Sequence, residues 1–312
     1  MVKVLITGGA GYIGSMLTRS FLNRGEKVTV LDNFMYKQTP LMDLCSNKDL
    51  EIIRGDVRND SLLTDLVKKH DVIIPLAAIV GFPACENDKP LAKATNTDHV
   101  GCIVKNLSKS QVLVYPNTNS GYGVGEAGKF CTEKSPLNPI SYYGVSKCEA
   151  EKMVLDAGGT ALRLATVFGA SSRFRIDLLV NDFVYRAYKD KFIVLFEKDF
   201  KRNYIHIKDV CRAFAHVVEN ASALSGEAYN VGLSSANLSK MELCLKIKEY
   251  VPGFSIQVDE IQKDPDKRDY IVSNEKFEKT GWFPSKTLDD GIKELLKAYP
   301  MLEKANVNFT NL

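Results

Sequence analysis

With 312 residues, 45% of them hydrophobic and 25% charged, the chain has the composition of a folded globular protein, which excludes a disordered or fibrous one. Its formal net charge of +3 is spread along the sequence, so the basic patch of a nucleic-acid-binding protein is excluded as well. The length suits one large α/β domain with a smaller lobe.

The cysteines, histidines and apolar runs exclude further classes. Seven cysteines are scattered without a C-x-x-C pair, which indicates reduced thiols, and the four histidines form no cluster, which argues against a metal site. No signal-like stretch precedes the first apolar run, and no run is long enough to span a membrane. We therefore expect a cytoplasmic protein without metal, membrane or nucleic-acid partners.

In the first half, short apolar runs rich in Val, Ile and Leu alternate with longer amphipathic segments. Such runs are typical of strands buried on both faces of a parallel sheet. The predicted strands are 2–7, 27–31, 51–54, 72–75, 111–115 and 161–166, and the predicted helices are 12–24, 61–69, 91–109 and 141–157. This alternation predicts an α/β fold built on a doubly wound parallel sheet of Rossmann type.

The rhythm changes near residue 168, where a basic and aromatic segment begins. Two capping boxes, one starting at Ser239 and one at Thr287, predict two later helices. We predict a nucleotide-binding domain at 1–167, with parts of 203–232 returning to it, and a smaller C-terminal substrate-binding lobe formed mostly by 168–312.

Glycines follow the first predicted strand in a pattern typical of dinucleotide-binding turns. Gly8, Gly11 and Gly14 lie between that strand and the next predicted helix, together with Tyr12 and Ile13. They would allow a tight turn, close approach of a pyrophosphate to backbone amides, and close packing of the helix on the strand. A plain strand–helix turn is the alternative, but the flanking strand and helix favour a dinucleotide.

Residues after the next strands fit the same cofactor. Asp32 ends the second strand, beside Asn33, and its carboxylate suits the adenosine ribose hydroxyls and repels a 2′-phosphate, which favours NAD over NADP. Asp56 and Val57 follow the third strand, where a loop reaches the adenine, although an aspartate there is also an ordinary turn residue. Small residues after the fourth strand would let the backbone lie against the cofactor. The predicted contacts in that place are Leu76, Ala77 and Ala78.

Tyr143 and Lys147 stand four residues apart at the start of a predicted helix, so both side chains lie on one face. A phenol alone is a poor base at neutral pH, but a nearby ammonium and a positively charged nicotinamide lower its pKa. Beside a dinucleotide motif, the pair predicts a catalytic tyrosine and a lysine that holds the nicotinamide ribose. After the fifth strand, Thr118 and Ser120 both offer a hydroxyl that can hold the reacting substrate oxygen.

Together these residues resemble the extended short-chain dehydrogenase/reductase family that acts on nucleotide sugars, and the resemblance covers essentially the whole chain. In that family the catalytic Ser or Thr precedes a Tyr-Gly pair by four residues, which selects Thr118 as catalytic and leaves Ser120 to the substrate. The resemblance also assigns Asn96 to the cofactor. It assigns Thr166, where many members have asparagine, to the cofactor as well.

On the substrate side the resemblance implies that Arg202 and Asn181 lie near the diphosphate of the nucleotide sugar. Arg268 is a second arginine suited to the same role, because a guanidinium can bind two phosphate oxygens at once. Arg173 and Arg175 lie near the predicted lobe without a motif that ranks them. The alternative for each of these residues is a solvated surface position.

A narrower resemblance comes from segments 115–123, 163–169, 177–183 and 264–270, which are similar to the GDP-heptose 4-dehydrogenase branch of bacterial capsule pathways. It implies oxidation of a GDP-linked heptose at C4 to the 4-keto sugar. Many nucleotide-sugar dehydratases place Asp-Glu directly after the catalytic Thr, whereas this chain has Asn119-Ser120. Dehydration is therefore disfavoured.

Three alternative functions remain open. A 4-epimerase would use the same residues and return the hydride to the opposite face, and a ketoreductase would run the same step backwards. A non-catalytic dinucleotide sensor would need neither Tyr143 nor Lys147. Family members commonly dimerise through a four-helix bundle, which here implies a homodimer formed by the helices near 91–109 and 141–157.

Overall fold

The computed structural model describes residues 1–260, 268–302 and 309–311, so residues 264–267 of the segment used for the narrower resemblance lie outside the described residues. Its strands are β1 Lys3–Thr7, β2 Lys27–Asp32, β3 Leu50–Arg54, β4 Val72–Pro75, β5 Val112–Thr118, β6 Phe130–Cys131, β7 Thr160–Leu164, β8 Thr166–Phe168, β9 Phe192–Leu195, β10 Lys201–His206, β11 Ala228–Val231, β12 Asn237–Ser239, β13 Ser255–Val258 and β14 Ile271–Val272. Its α-helices are α1 Tyr12–Asn23, α2 Asp60–Val67, α3 Phe82–Asn87, α4 Lys89–Lys93, α5 His99–Asn106, α6 Tyr142–Asp156, α7 Leu179–Lys189, α8 Ile207–Glu219, α9 Ala221–Leu224, α10 Lys240–Lys248, α11 Glu275–Glu278 and α12 Leu288–Ala298.

Seven parallel strands form the large sheet, in the order β11-β7-β5-β4-β1-β2-β3. The chain moves outwards from β1 to β3 and then crosses back to β4 on the other side, which makes the sheet doubly wound. The predicted fold class is therefore confirmed. In such a sheet the crevice at the carboxyl ends of the strands, where the direction of winding reverses, is the usual place for a ligand.

Helices cover both faces of this sheet because successive strand residues point to opposite sides. Val4 and Ile6 of β1 pack with residues of α1 and α8, whereas Leu5 packs in a separate cluster with residues of α2, α5 and α6. All three side chains are fully buried. This accounts for apolar runs without polar alternation in the sequence.

The prediction of one continuous helix at 91–109 is wrong, because the helix is interrupted. The segment consists of α4, a π-helical turn at Ala94–Asp98, and α5. The wide turn directs two polar side chains at α6: Asn96 donates to Ser146 Oγ at 3.1 Å, and Thr97 donates to the Ser146 carbonyl oxygen at 3.1 Å. Apolar periodicity does not report such a local widening.

The strand predicted at 161–166 is broken at Ala165. β7 ends at Leu164 and pairs with β5 and β11, whereas β8 begins at Thr166 and pairs with β10. The chain thus leaves the large sheet at this point without a loop.

A second core lies in the C-terminal part, where residues of α7, α10 and α12 pack around Tyr204, Phe254 and Tyr299. Both predicted capping boxes are present, at Ser239–Glu242 and at Thr287–Asp290. α8 and β11 lie with the large sheet, but the division near residue 167 stays a prediction. No helix within the described residues is long and apolar enough to cross a membrane.

Candidate active site

A cavity of about 600 Å³ opens at the carboxyl ends of the parallel strands. Its size is typical of a ligand site. The sequence-predicted residues that line it are Gly8, Gly11, Tyr12, Ile13, Gly14, Asp32, Asn33, Asp56, Val57, Leu76, Ala77, Ala78, Thr118, Ser120, Tyr143, Lys147, Thr166 and Arg268. Three predicted site residues do not line it: Asn96, Asn181 and Arg202. The structure therefore brings the cofactor motif and the catalytic pair to one place.

The glycine loop lets backbone approach backbone. Gly8 has a φ of 70°, and a Cβ there would lie 2.7 Å from the amide nitrogen of Ala77. A Cβ on Gly14 would collide with the carbonyl oxygen of Gly8. α1 then begins at Tyr12 after Gly11, and no side chain caps its first amides. Those amides are the groups that bind a diphosphate at a helix N-terminus.

Asp32 is held in place by backbone amides. Its carboxylate accepts hydrogen bonds from Ala10 at 2.9 Å and from Phe34 at 2.8 Å, while burial raises the pKa of this carboxyl. Both bonds favour the ionised form and fix the carboxylate at the rim of the cavity. A carboxylate fixed in this way can accept hydrogen bonds from ribose hydroxyls.

Asp56 is already paired with its neighbour Arg58 through a hydrogen bond of 2.7 Å, and this arginine holds the pKa of Asp56 at about 2. Val57 beside it is buried and lines the cavity. Asp56 is therefore a turn residue that also forms an ion pair in the cavity wall, on the predicted adenine side.

Tyr143 and Lys147 lie one turn apart near the start of α6, where Ser141 caps the helix by accepting from Gly144 at 3.2 Å. Burial raises the pKa of Tyr143 to about 12, which is opposite to the direction expected from the Lys147 ammonium; the charges of Arg268 and Arg175 act to lower it. Burial also lowers the pKa of Lys147 to about 7, and its Nζ lies 4.1 Å from the centre of the Tyr115 ring. Desolvation is therefore the largest cause of both pKa shifts.

Thr118 ends β5 and starts a short chain of hydroxyls. Its Oγ1 donates to Ser120 Oγ at 2.9 Å and accepts from the Ser120 amide at 3.1 Å, and Arg268 also donates to Ser120 Oγ. A threonine, a serine and a guanidinium thus converge on the side of the cavity that holds Tyr143. These hydrogen bonds fix the orientation of the Thr118 hydroxyl at the cavity.

Asn96 acts from behind the cavity wall. Its side chain accepts from the Ile79 amide at 2.8 Å and donates to the Ile79 carbonyl at 3.0 Å and to Ser146 at 3.1 Å. These bonds join the loop after β4 to α6. Asn96 positions the lining residues next to Ile79 and does not itself reach the cavity.

Asn181 and Arg202, assigned to the substrate diphosphate by resemblance, are also outside the lining. Asn181 is fully buried and bonds to the Gly169 amide at 3.0 Å and the Arg175 carbonyl at 2.8 Å. Arg202 donates to the Lys201 carbonyl at 2.8 Å and lies 5.4 Å from the ring of Tyr270, which does line the cavity. Both residues support the wall, because each is buried against neighbouring backbone or rings.

Sequence reasoning left Arg173 and Arg175 unranked and missed Tyr36, and all three line the cavity. Arg175 pairs with Asp177. No sequence motif contains these residues, and they reach the cavity only when the chain has folded, so the sequence offers little indication of them.

The carboxylates of the cavity are engaged with other groups. Besides Asp32 and Asp56, the lining contains Asp177, paired with Arg175, and Asp182, paired with Arg186 on the next turn of α7. Across the ranges 1–260, 268–302 and 309–311, no three His, Cys, Asp or Glu side chains are grouped as metal ligands.

The model of the NAD dependent epimerase/dehydratase family matches residues 4–232, so the chain belongs to this family. The family consists of extended short-chain dehydrogenase/reductase enzymes, and NAD is their cofactor. The site fits that group, because the crowded glycines, the uncapped start of α1 and the fixed Asp32 carboxylate provide for a diphosphate and a ribose.

Relatives of known function cover nearly the whole chain. It is 28% identical over 310 residues to the low-salt glycan biosynthesis protein Agl12 of Haloferax volcanii, covering 96% of this chain and 98% of that protein. It is 26% identical to a dTDP-glucose 4,6-dehydratase of Streptomyces niveus, covering 96% and 93%. The fold is similar to that of the UDP-glucose 4-epimerase of Thermus thermophilus in complex with NAD, with a TM-score of 0.82, 24% identity, and coverage of 96% and 99%.

Proposed function

We propose that the chain oxidises a nucleotide-diphosphate sugar at C4, and that its substrate is a GDP-linked heptose. The observation that carries the first part is the convergence of Thr118, Tyr143 and Lys147 beside the glycine loop in one cavity. Relatives that act on dTDP-glucose and UDP-glucose support a nucleotide sugar. The GDP-heptose part, with its place in capsule synthesis, rests on the sequence resemblance.

Three side chains carry the reaction in this proposal. Thr118 holds the C4 oxygen by a hydrogen bond, and Tyr143 removes the proton from the C4 hydroxyl. Lys147 holds the nicotinamide ribose. When its amine is protonated, its positive charge stabilises the phenolate of Tyr143. Bound NAD would supply the acceptor for the hydride that leaves C4, and its positive charge would favour the phenolate form of Tyr143.

The two residues after Thr118 favour oxidation over dehydration. A 4,6-elimination needs an acid and a base, and at the two positions after Thr118 this chain has the amide of Asn119, which does not line the cavity, and the hydroxyl of Ser120, which does. The carboxylates that line the cavity within the described residues are paired with arginines or held by backbone amides. None is available to act as that base without breaking an existing interaction.

A 4-epimerase is the second candidate, because it uses the same three side chains and differs only in the fate of the keto sugar. The UDP-glucose 4-epimerase of Lactobacillus helveticus, 27% identical to this chain over 322 residues, favours it. A ketoreductase would use the same site in the reverse direction.

The test is incubation of the purified protein and NAD with GDP-heptose, with nicotinamide absorbance followed and the sugar product analysed. We expect stoichiometric NADH and a 4-keto sugar. A C4-inverted sugar without net NADH would instead identify an epimerase. UDP-glucose and dTDP-glucose in parallel reactions test the base and the sugar, since turnover of either one in preference to GDP-heptose contradicts the proposed substrate.

We also propose that the protein is a cytoplasmic homodimer that pairs through the helices at 91–109 and 141–157. These correspond to α4, α5 and α6, which carry exposed positions such as Glu149 and Lys152. Sedimentation equilibrium is expected to give twice the mass of one chain. A mass equal to one chain at micromolar concentration contradicts the dimer and leaves the oxidation unaffected.

A further inference from the structure

The segment 169–175 lies across the start of α1, the helix end that faces the cofactor diphosphate. The hydroxyl of Tyr12 donates to the Gly169 carbonyl at 2.7 Å, and the hydroxyl of Ser171 donates to the Tyr12 carbonyl at 2.7 Å. A third contact joins the hydroxyls of Ser15 and Ser171 at 3.2 Å. These bonds fix the segment beside the glycine loop, although more than 150 residues separate the two in sequence.

Arg173 projects from this segment into the cavity wall and is only 2% exposed. Within the described residues, its Nε and Nη2 atoms are buried and have no hydrogen-bond partner. The guanidinium lies 4.2 Å from the centre of the Tyr36 ring, which holds it from one face. A buried guanidinium without an acceptor is costly, and an anionic ligand would remove that cost.

The neighbouring carboxylates are used elsewhere. Asp32 accepts from two backbone amides, and Asp177 pairs with Arg175. Tyr36 lies four residues after Asp32, in the loop that leaves β2 on the adenosine side of the cavity. Arg173 thus interacts electrostatically with Asp32, the predicted ribose contact, and belongs to the segment that is bonded to the start of α1.

We propose that Arg173 binds the diphosphate of the dinucleotide, sharing it with the free amides at the start of α1. Together with Tyr36, Arg173 covers the adenosine half of the cofactor on the side where segment 169–175 lies. A guanidinium can donate two parallel hydrogen bonds to phosphate oxygens, and the unpartnered Nε and Nη2 atoms are a pair able to do so. The inference goes beyond the proposed function and holds whichever sugar is the substrate.

Binding measurements on ligand-free protein test it. NAD, ADP-ribose, NADP and GDP are titrated calorimetrically into the wild type, Arg173→Gln and the control Arg19→Gln. Arg19 lies on α1 and contacts Ser172 of the same segment at 3.4 Å, but it does not line the cavity. We expect Arg173→Gln to weaken NAD and ADP-ribose by about 10-fold or more. GDP in that variant, and every ligand in Arg19→Gln, should change by less than about two-fold.

Three results would overturn the proposal. Unchanged NAD affinity in Arg173→Gln shows that the guanidinium does not bind the cofactor. A loss for GDP alone assigns Arg173 to the substrate, and a loss for NADP alone assigns it to a 2′-phosphate. Thermal unfolding separates binding from structure: without ligand the melting temperature of Arg173→Gln should equal or exceed that of the wild type, and a clear decrease indicates a structural role.

Arg173→Lys provides a second test if the glutamine variant does not fold. It keeps the charge and loses the planar fork, so a several-fold loss of NAD affinity is expected. Full retention of NAD affinity in Arg173→Lys contradicts a bidentate contact between the guanidinium and the diphosphate.

Discussion

At the residue scale, Tyr143→Phe removes one hydroxyl from the cavity and leaves the ring in place. Because the proposed role of this group is proton transfer, turnover should fall by about 100-fold or more. The NAD-dependent increase in melting temperature should stay within about 1 °C of the wild type, since the glycine loop and Asp32 are untouched. Steady-state kinetics and thermal unfolding measure the two effects. Normal turnover in this variant excludes Tyr143 as the catalytic group.

The low pKa of Lys147 links its protonation to stability. Its pKa of about 7 lies below that of a lysine in an unfolded chain, so between these values the unfolded state binds more protons and stability rises with pH. The wild type should therefore gain free energy of unfolding relative to Lys147→Met on going from pH 7 to pH 9. Urea unfolding of both proteins without cofactor measures the difference. A difference that is flat or falls over this interval contradicts the effect of burial.

The site residues that the sequence predicts lie close together along the chain, whereas those that it misses come together only by tertiary packing. The glycine loop and the Tyr143–Lys147 pair are spaced within one turn or one helix, so the backbone places them together once that element forms. Arg173 reaches the glycine loop only through tertiary packing, and no spacing in the sequence reports that. Asn181 and Arg202 were assigned by resemblance, and the structure places both outside the cavity lining.

At the element scale, a buried ion pair holds α6 against the large sheet. Glu151 of α6 accepts three hydrogen bonds from Arg163 of β7, at 2.6, 3.0 and 3.2 Å, and another from Asn117 of β5. The side chains of the pair are only 3% and 7% exposed. α6 carries Tyr143 and Lys147 two turns and one turn earlier, so this ion pair also orients the predicted catalytic groups.

Glu151→Gln should destabilise the protein by about 3 kcal/mol, because it leaves the Arg163 charge buried without a counter-charge. Glu275→Gln is the control, since Glu275 forms an exposed ion pair with Lys279 and lies outside the helices proposed for the dimer. Denaturant unfolding of the three proteins measures the free energies. Equal stability of the two variants would show that the buried pair contributes no more than a surface carboxylate.

Six of the seven strands of the large sheet were predicted from their apolar runs, and β11 was not. Two further errors come from side-chain and pairing effects. The π-helical turn at Ala94–Asp98 depends on bonds to Ser146 in another helix, and the break at Ala165 depends on which strand each half pairs with. Neither is a property of the local sequence.

At the scale of the whole molecule, residues 1–167 lack α8, although α8 covers one face of their sheet. Val210 and Phe214 of α8 are fully buried in the cluster that contains Val4 and Ile6. We expect a fragment of residues 1–167 to be insoluble or to bind an apolar dye, because that face is exposed. Expression beside the full chain provides the control. A soluble fragment that binds NAD contradicts this dependence.

The break at Ala165 is the first of several places where the chain passes between the large sheet and the second core. β10 leads directly into α8, β11 leads back to β12, and α11 returns Phe277 to the sheet side before α12 rejoins the second core. New specificity cannot therefore be acquired by exchanging one block at one junction. Recombination between relatives must replace several interleaved segments at once, so gradual substitution within the cavity is the more accessible evolutionary route.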